Sequence, residues 1–195
     1  GYDHVCAIDK AANLWCWGHG GSGRLGFAAG PLNGVPRLVA STIDRWLEIA
    51  AGQQHTCGIK ADGSLWCWGQ NKEGQLGVGN LDDSSIPIRV GHDQDWATVS
   101  LGLESDHLSC ASKVDGRIFC WGSNLNGQLG DGRGDQSIPT KIGDGYSSVA
   151  VGEAHSCALK TDQTLWAGSA AANPQLSELI ISPAGQCSVC LDGAT

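Results

Sequence analysis

The stretch "HTCGIKADGSLWCWGQNKEGQLG", residues 55–77, gathers two cysteines, two tryptophans and five glycines into one short span. Trp66 and Trp68 flank Cys67, and Cys57 stands ten residues ahead of it. A redox pair, a zinc site and a stapled hairpin are the competing readings, and the choice depends on where else the stretch recurs. It does so as "GYDHVCAIDKAANLWCWGHGGSGRLG" from Gly1, "DHLSCASKVDGRIFCWGSNLNGQLG" from Asp106 and "GEAHSCALKTDQTLWAGSAAANPQLS" from Gly152. A truncated copy, "CSVCLDGAT", starts at Cys187. First cysteines fall at 6, 57, 110, 157 and 187, a period near fifty until the last step. A fixed period of this size marks a repeat architecture. One domain over 1–195 is expected, with repeats at 1–51, 52–101, 102–151 and 152–180 and a truncated fifth at 181–195.

Each copy reads as a hairpin. "TCGIK" and "SLWCW" are short strands, and "ADG" supplies a three-residue turn with Gly63 at the position that needs a positive φ. Centring on Asp62 sets Cys57 opposite Cys67 and Gly58 opposite Trp66. Facing residues on antiparallel strands bring their Cβ atoms within about 4.5–5.5 Å, close enough for a disulfide. The same register gives Cys6–Cys16 and Cys110–Cys120. It also repeats a small residue against a ring: Ala7 with Trp15, Ala111 with Phe119 and Ala158 with Trp166. Structural zinc uses closer cysteine pairs than these, so disulfides are the expected chemistry. Strands as apolar as "LWCWG" and "RIFCWG" need cover on both faces. Sheets stacked radially provide that cover, so the fold expected is an all-β propeller.

The rest of the composition narrows the function classes. The net charge is −8 and basic runs are absent, which makes nucleic acid a poor partner. No apolar run is long enough to span a membrane as a helix. Nine cysteines point to an oxidising compartment, and the lack of any Met, even at position 1, reads as a processed or excised segment.

These residues resemble the regulator-of-chromosome-condensation repeat family. The marks are Gly52, His55, Asp62, Gly63, Trp66, Trp68, Gly69, Asn71, Gly74, Gln75, Leu76 and Gly77, followed by Pro87. Asp115, Gly116, Trp121, Gly122, Asn124, Gly127, Gln128, Leu129, Gly130 and Pro139 repeat the pattern in the third copy. The resemblance implies a propeller whose family norm is seven blades. Members include nuclear exchange factors for small GTPases, ectodomains of crinkly-type plant receptor kinases and secreted bacterial β-lactamase inhibitors. The cysteine-stapled "C…WCWG" form is similar to the extracellular members. With about four copies, the expectation is a partial propeller, an open arc whose missing blades come from elsewhere.

Several residues invite a chemical reading. His4, His55, His107 and His155 recur near the first cysteines; a metal ring is one reading, and a repeated structural hydrogen bond is the simpler one. Cys157 faces Ala167 instead of a cysteine, so Cys157, Cys187 and Cys190 stay unassigned, with a bridge between blades or to another chain left open. Arg133-Gly134-Asp135 spells an adhesion tripeptide in a blade loop. The "NLDDSS" run at 80–85, and Asp131 with Asp135, lack the spacing of a calcium loop. No nucleophile elbow or phosphate loop is present, so no catalytic residue, metal or cofactor is expected.

The reading is a non-enzymatic, secreted binding or structural module. Loops 27–45, 78–95 and 131–146 on a rigid scaffold meet a protein partner, or the open propeller ends self-associate. Trp46 and Trp96 start inner strands and would be anchors if exposed. The alternative is a guanine-nucleotide exchange factor for a small GTPase, and a weaker one is a carbohydrate-binding propeller suggested by the tryptophans.

Overall fold

A computed structural model describes residues 1–28, 32–39, 45–103, 107–125, 127, 129, 133–152, 155–169, 173–181 and 187–189. His155 and the residues from 167 onward are described by their backbone only. The described chain is almost wholly strand and turn, with one short 3-10 turn at Gly21–Gly23. It forms four separate antiparallel sheets, each a run of neighbours in chain order. The first comprises β1 (His4–Ile8), β2 (Leu14–His19) and β3 (Leu32–Leu38). The second holds β4 (Trp46–Ala51), β5 (His55–Lys60), β6 (Leu65–Gly69) and β7 (Ser84–Arg89). The third holds β8 (Trp96–Leu101), β9 (Leu108–Lys113), β10 (Ile118–Gly122) and β11 (Gln136–Gly143). The fourth comprises β12 (Tyr146–Val151), β13 (His155–Lys160), β14 (Leu165–Ser169), β15 (Asn173–Ile181) and β16 (Cys187–Val189). Successive sheets touch through their leading strands, β1 on β4, β4 on β8 and β8 on β12, and do not close into a barrel. The result is the open arc of a β-propeller.

Within each blade the central hairpin has the register that its cysteines demand. Cys6 pairs with Cys16, Cys57 with Cys67 and Cys110 with Cys120, at Cα separations of 4.2, 4.1 and 4.1 Å, and each pair is joined by an S–S bond. The small residues face rings as the pattern requires, Gly58 against Trp66 and Ala111 against Phe119. A second ring also crowds Gly58: a Cβ there would lie 2.8 Å from Trp46, which crosses from β4. Gly63 turns the hairpin at φ +75°, and Ala12 and Gln163 hold the same left-handed position at +65° and +72°.

Hydrophobic burial lies between the sheets, not within one central mass. Leu14, Leu25, Trp46 and Trp68 fill the first interface; Leu65, Leu76, Trp96 and Trp121 fill the second; Leu108, Ile118, Leu129 and Tyr146 fill the third. Sheets covered on both faces explain why strands such as Leu65–Gly69 are apolar throughout. The outer strands are plainer. Val35, Ile86 and Ile138 are exposed there, each just ahead of a proline that removes an edge donor.

One placement differs from the reading of a fifth copy. Cys187–Val189 does not open a new blade but pairs with β15, Ile181 opposite Cys187 and Leu179 opposite Val189. With so little chain between Ile181 and Cys187, the strand reaches the near edge of the sheet it has just left.

Candidate interaction surface

The junctions between blades share one hydrogen-bonding unit. His4 Nε2 lies 2.7 Å from Thr56 Oγ1, and Thr56 donates to the Arg24 carbonyl at 2.8 Å. The Trp68 indole N–H donates to that same carbonyl at 3.0 Å. One blade further on, His55 Nε2 lies 2.8 Å from Ser109 Oγ, Ser109 donates to the Gln75 carbonyl at 2.8 Å, and Trp121 joins at 2.9 Å. All these side chains are buried. Near the axis the Glu48 side chain accepts from Val99 N–H, and Ser100 accepts from Val151 N–H, which ties leading strand to leading strand. His4 and His55 therefore serve the blades, as the simpler reading had it. Among the described residues no three His, Cys, Asp or Glu side chains cluster at metal-binding range.

The loop after each hairpin has its own lock. The Asn71 side chain accepts from Leu76 N–H and donates to the Asn80 carbonyl, while its backbone N–H donates to Asp83. Asn124 repeats this with Leu129, Arg133 and Asp135. Asp135, the last residue of the adhesion tripeptide, thus anchors its loop as Asp83 does in the preceding blade, where no Arg-Gly precedes it. Asn80 and Asp83 in the 80–85 run are engaged in the same way, and Asp83 also pairs with Lys72 at 3.4 Å.

At the opposite end the hairpin tips are held by a recurrent aspartate. The Asp9, Asp62, Asp115 and Asp162 carboxylates each accept from the backbone N–H two residues on. Side-chain hydrogen bonds from Ser64 to Asp62, Arg117 to Asp115 and Thr164 to Asp162, and then these backbone ones, favour the ionised form and hold the carboxylates below their ordinary range, with Asp9 at about 2 through Asn13 and Trp15. A lysine closes each of three later blades at this end: Lys60 lies 3.7 Å over Trp66, Lys160 3.9 Å over Trp166, and Lys113 sits over Trp96 at 4.8 Å. Lys113 is buried between Asp93 and Asp95, and Arg117 pairs with Asp95 and Asp115.

The two ends consequently differ in charge. At the tip end, seven described aspartates (9, 62, 93, 95, 115, 144 and 162) and Glu48 meet eight lysines and arginines (10, 45, 60, 89, 113, 117, 141 and 160). At the loop end, the described carboxylates are Asp3, Glu73, Asp82, Asp83 and Asp135, against Arg24, Lys72 and Arg133. Arg24 is buried and bonded to the Gln53 carbonyl, so it contributes little to the surface. Two cavities lined by described residues open at the loop end. One of about 440 Å³ lies beside Asp3, His19 and Asn33; one of about 270 Å³ lies between Lys72, Asn80, Asp135 and Ser137.

Several expected contact residues are placed elsewhere. Trp46 and Trp96 are 1% and 5% exposed, so neither is a surface anchor. All eight tryptophans are buried or half-buried, so none is an exposed sugar platform. Cys157 faces Ala167 across the fourth hairpin. Cys187 is placed by its backbone in β16, and Cys190, Asp131 and most of the 27–45 loop's far half lie outside the described residues. The junction unit was missed because it joins residues one repeat apart. Its signal was present, since Thr56, Ser109 and Ser156 all precede a first cysteine, with Val5 in the first copy.

The repeat architecture has counterparts among known proteins. The regulator of chromosome condensation (RCC1) repeat profile matches residues 12–59, 62–105 and 115–159. A probable E3 ubiquitin-protein ligase, HERC4 of Mus musculus, is 31% identical over 165 residues, which is 81% of this chain and 16% of the ligase. The ultraviolet-B receptor UVR8 of Arabidopsis thaliana is 30% identical over 179 residues, 85% of this chain and 39% of the receptor. Yeast RCC1 (Prp20), solved bound to Kap60, superposes with a TM-score of 0.79 at 20% identity, over 93% of this chain and 48% of that one. The CR4 receptor kinase ectodomain of Physcomitrella patens superposes at 0.53 and 18% identity, over 86% and 39%. The chain spans less than half the length of each of these proteins. On its repeats, its blades and the matched residues, the chain belongs to the regulator of chromosome condensation (RCC1) repeat family.

Proposed function

We propose that the chain is a non-enzymatic, extracellular scaffold that meets a protein partner through its loop end. The carrying observation is the contrast between the two parts of each repeat. Buried His–hydroxyl–carbonyl units fix blade to blade in the same way twice, while the loops beyond them differ in sequence, length and charge. Among the described residues the loop end carries the acidic excess, and two cavities open there, while the tip end is self-neutralised by ion pairs. A surface of that sign favours approach by a basic protein face. Three disulfide-stapled hairpins suit an oxidising environment. Relatives of the same fold have been solved with protein partners, Prp20 with Kap60, and a second Prp20 study names Gsp1p and histones.

Two exposed leucine-type positions test the face directly. Leu125 at the loop end is 84% exposed and Val114 at a hairpin tip is 75% exposed. A photo-crosslinking residue at 125 is expected to trap a partner from a secreted-protein fraction, with a yield that falls as salt rises. The same residue at 114 is expected to trap none; equal capture at both positions overturns the loop-end assignment. Intact mass and native sizing show whether that partner is a second copy. Thiol titration in denaturant without reductant is expected to leave the six hairpin cysteines unreactive. Six or more reactive thiols would favour an intracellular protein and nucleotide exchange on a small GTPase, which a nucleotide-release assay reads.

A further inference from the structure

The junction histidines have a tautomer that the hydrogen bonds dictate. Thr56 and Ser109 each spend their hydroxyl proton on a carbonyl oxygen, which can only accept. Each hydroxyl must therefore accept from the imidazole, so His4 and His55 carry their proton on Nε2. Their Nδ1 atoms are then bare lone pairs, buried and without a hydrogen-bond partner among the described residues. We propose that His4 and His55 are a proton-operated lock on the two blade junctions. Neutral, they tie sheet to sheet; protonated at Nδ1 in acid, they release one sheet from the next while each stapled hairpin stays folded.

Among the described residues an imidazolium in either place finds nothing to stabilise it: its new N–H points at no acceptor there, and its charge is out of water. The charged and titratable groups acting on His4 are the Gly1 amine, Arg24 and His19; those acting on His55 are His107 and His4. All of these oppose a further positive charge. Burial first, and these neighbours second, push both rings down to about 3 from the ordinary 6.5. Above pH 6.5 locked and released states are both neutral and the lock is at full strength. Between 6.5 and 3 only the released state takes up protons, so each histidine favours release by about tenfold per pH unit. Trp68 and Trp121 report the event, because their indole N–H groups share the carbonyls that the hydroxyls hold.

Nitrogen-15 imidazole spectra of the intact chain test the tautomer. The expected result is an Nε2–H form for both rings at pH 7 that persists below pH 5; an Nδ1–H form, or titration near 6.5, overturns the proposal. Hydrogen exchange along the same pH series tests the release. The Trp68 and Trp121 indole protons are expected to lose protection by about a hundredfold near pH 4.5, ahead of the β5 and β6 amides. Simultaneous loss in the hairpins would mean whole-molecule unfolding and would also overturn it. His55→Gln keeps a donor for Ser109 but takes up no proton, so its second junction is expected to stay protected over this range. If that variant does not fold, the wild-type spectra decide.

Discussion

Gly26 sits against the indole of Trp68: a Cβ at Gly26 would lie 2.9 Å from the Trp68 Nε1 atom and 2.7 Å from Val39. Gly77 meets Trp121 in the same way at 2.7 Å, and both glycines have positive φ, +78° and +72°. In these two loops the closing glycine is thus the floor on which the next blade's tryptophan rests. Gly77→Ala combines left-handed backbone strain with crowding in a packed interface, and is expected to cost about 2–4 kcal/mol. Urea unfolding followed by tryptophan emission measures it, and a loss under half a kcal/mol would show the interface has slack.

The staples act within blades, not between them. Each joins cysteines ten residues apart, a loop that removes enough chain entropy from the unfolded state to stabilise by about 2–3 kcal/mol. Replacing Cys57 and Cys67 together by alanine is expected to lower stability by that amount in urea titration. The Trp121 indole should keep its protection from exchange in this variant, because the contact to Gln75 does not involve the staple.

Ala12 and Gln163 occupy the turn position that Gly63 and Gly116 fill elsewhere, at φ values a side chain adopts only with strain. Ala12→Gly is expected to raise stability by about 0.5–1 kcal/mol, the relief of strain exceeding the entropy that glycine adds to the unfolded chain. A fall in the urea midpoint would show that the Ala12 conformation is supported by its neighbours.

How much of this was legible follows from distance along the chain. Hairpin register was, because strand period and facing cysteines lie within ten residues of one another: Cys57 had to oppose Cys67 once Asp62 was the centre. The blade count was legible from the copies. What was hidden joins different copies. Trp46 over Gly58 and Lys113 between Asp93 and Asp95 depend on which strand pairs beyond the hairpin within a sheet, and His4 on Thr56 depends on the rotation of one sheet against the next; no local pattern encodes either. The aromatic-to-small pairing was read correctly in register, but the three atoms nearest a Cβ at Gly58 all come from β4, two from the Trp46 ring and one from the Glu48 carbonyl.

The hairpin-tip aspartates give the chain a second acid response, below that of the junctions. Asp9 accepts from Ala11, Asn13 and Trp15, and these bonds hold it at about 2 against an ordinary 3.8. Because the folded value is the lower one, its contribution is complete above about pH 4 and is lost as pH falls through 3.8 toward 2. Asp9→Asn is expected to flatten the pH dependence of Ala11 and Asn13 amide exchange in that window. An unchanged profile would place the acid sensitivity of the first tip in another group.

Ser109 is the position at which the junction can be weakened with least disturbance elsewhere. Ser109→Ala removes the hydroxyl that accepts from the buried His55 Nε2–H and one donor to the Gln75 carbonyl, which still receives Trp121. Leaving a buried donor unsatisfied costs about 1–3 kcal/mol, and the expected loss in urea titration lies in that range. Ser109→Thr is expected to be nearly neutral, because Thr56 performs the same task one blade earlier with the same two bonds. Val5 holds this position in the first sheet and is 48% exposed, so whatever covers that face does so without the hydroxyl. Ser109→Val reproduces the first-sheet residue inside a formed junction. It should fall with Ser109→Ala and not with Ser109→Thr, which separates the loss of the hydrogen bond from the loss of side-chain volume.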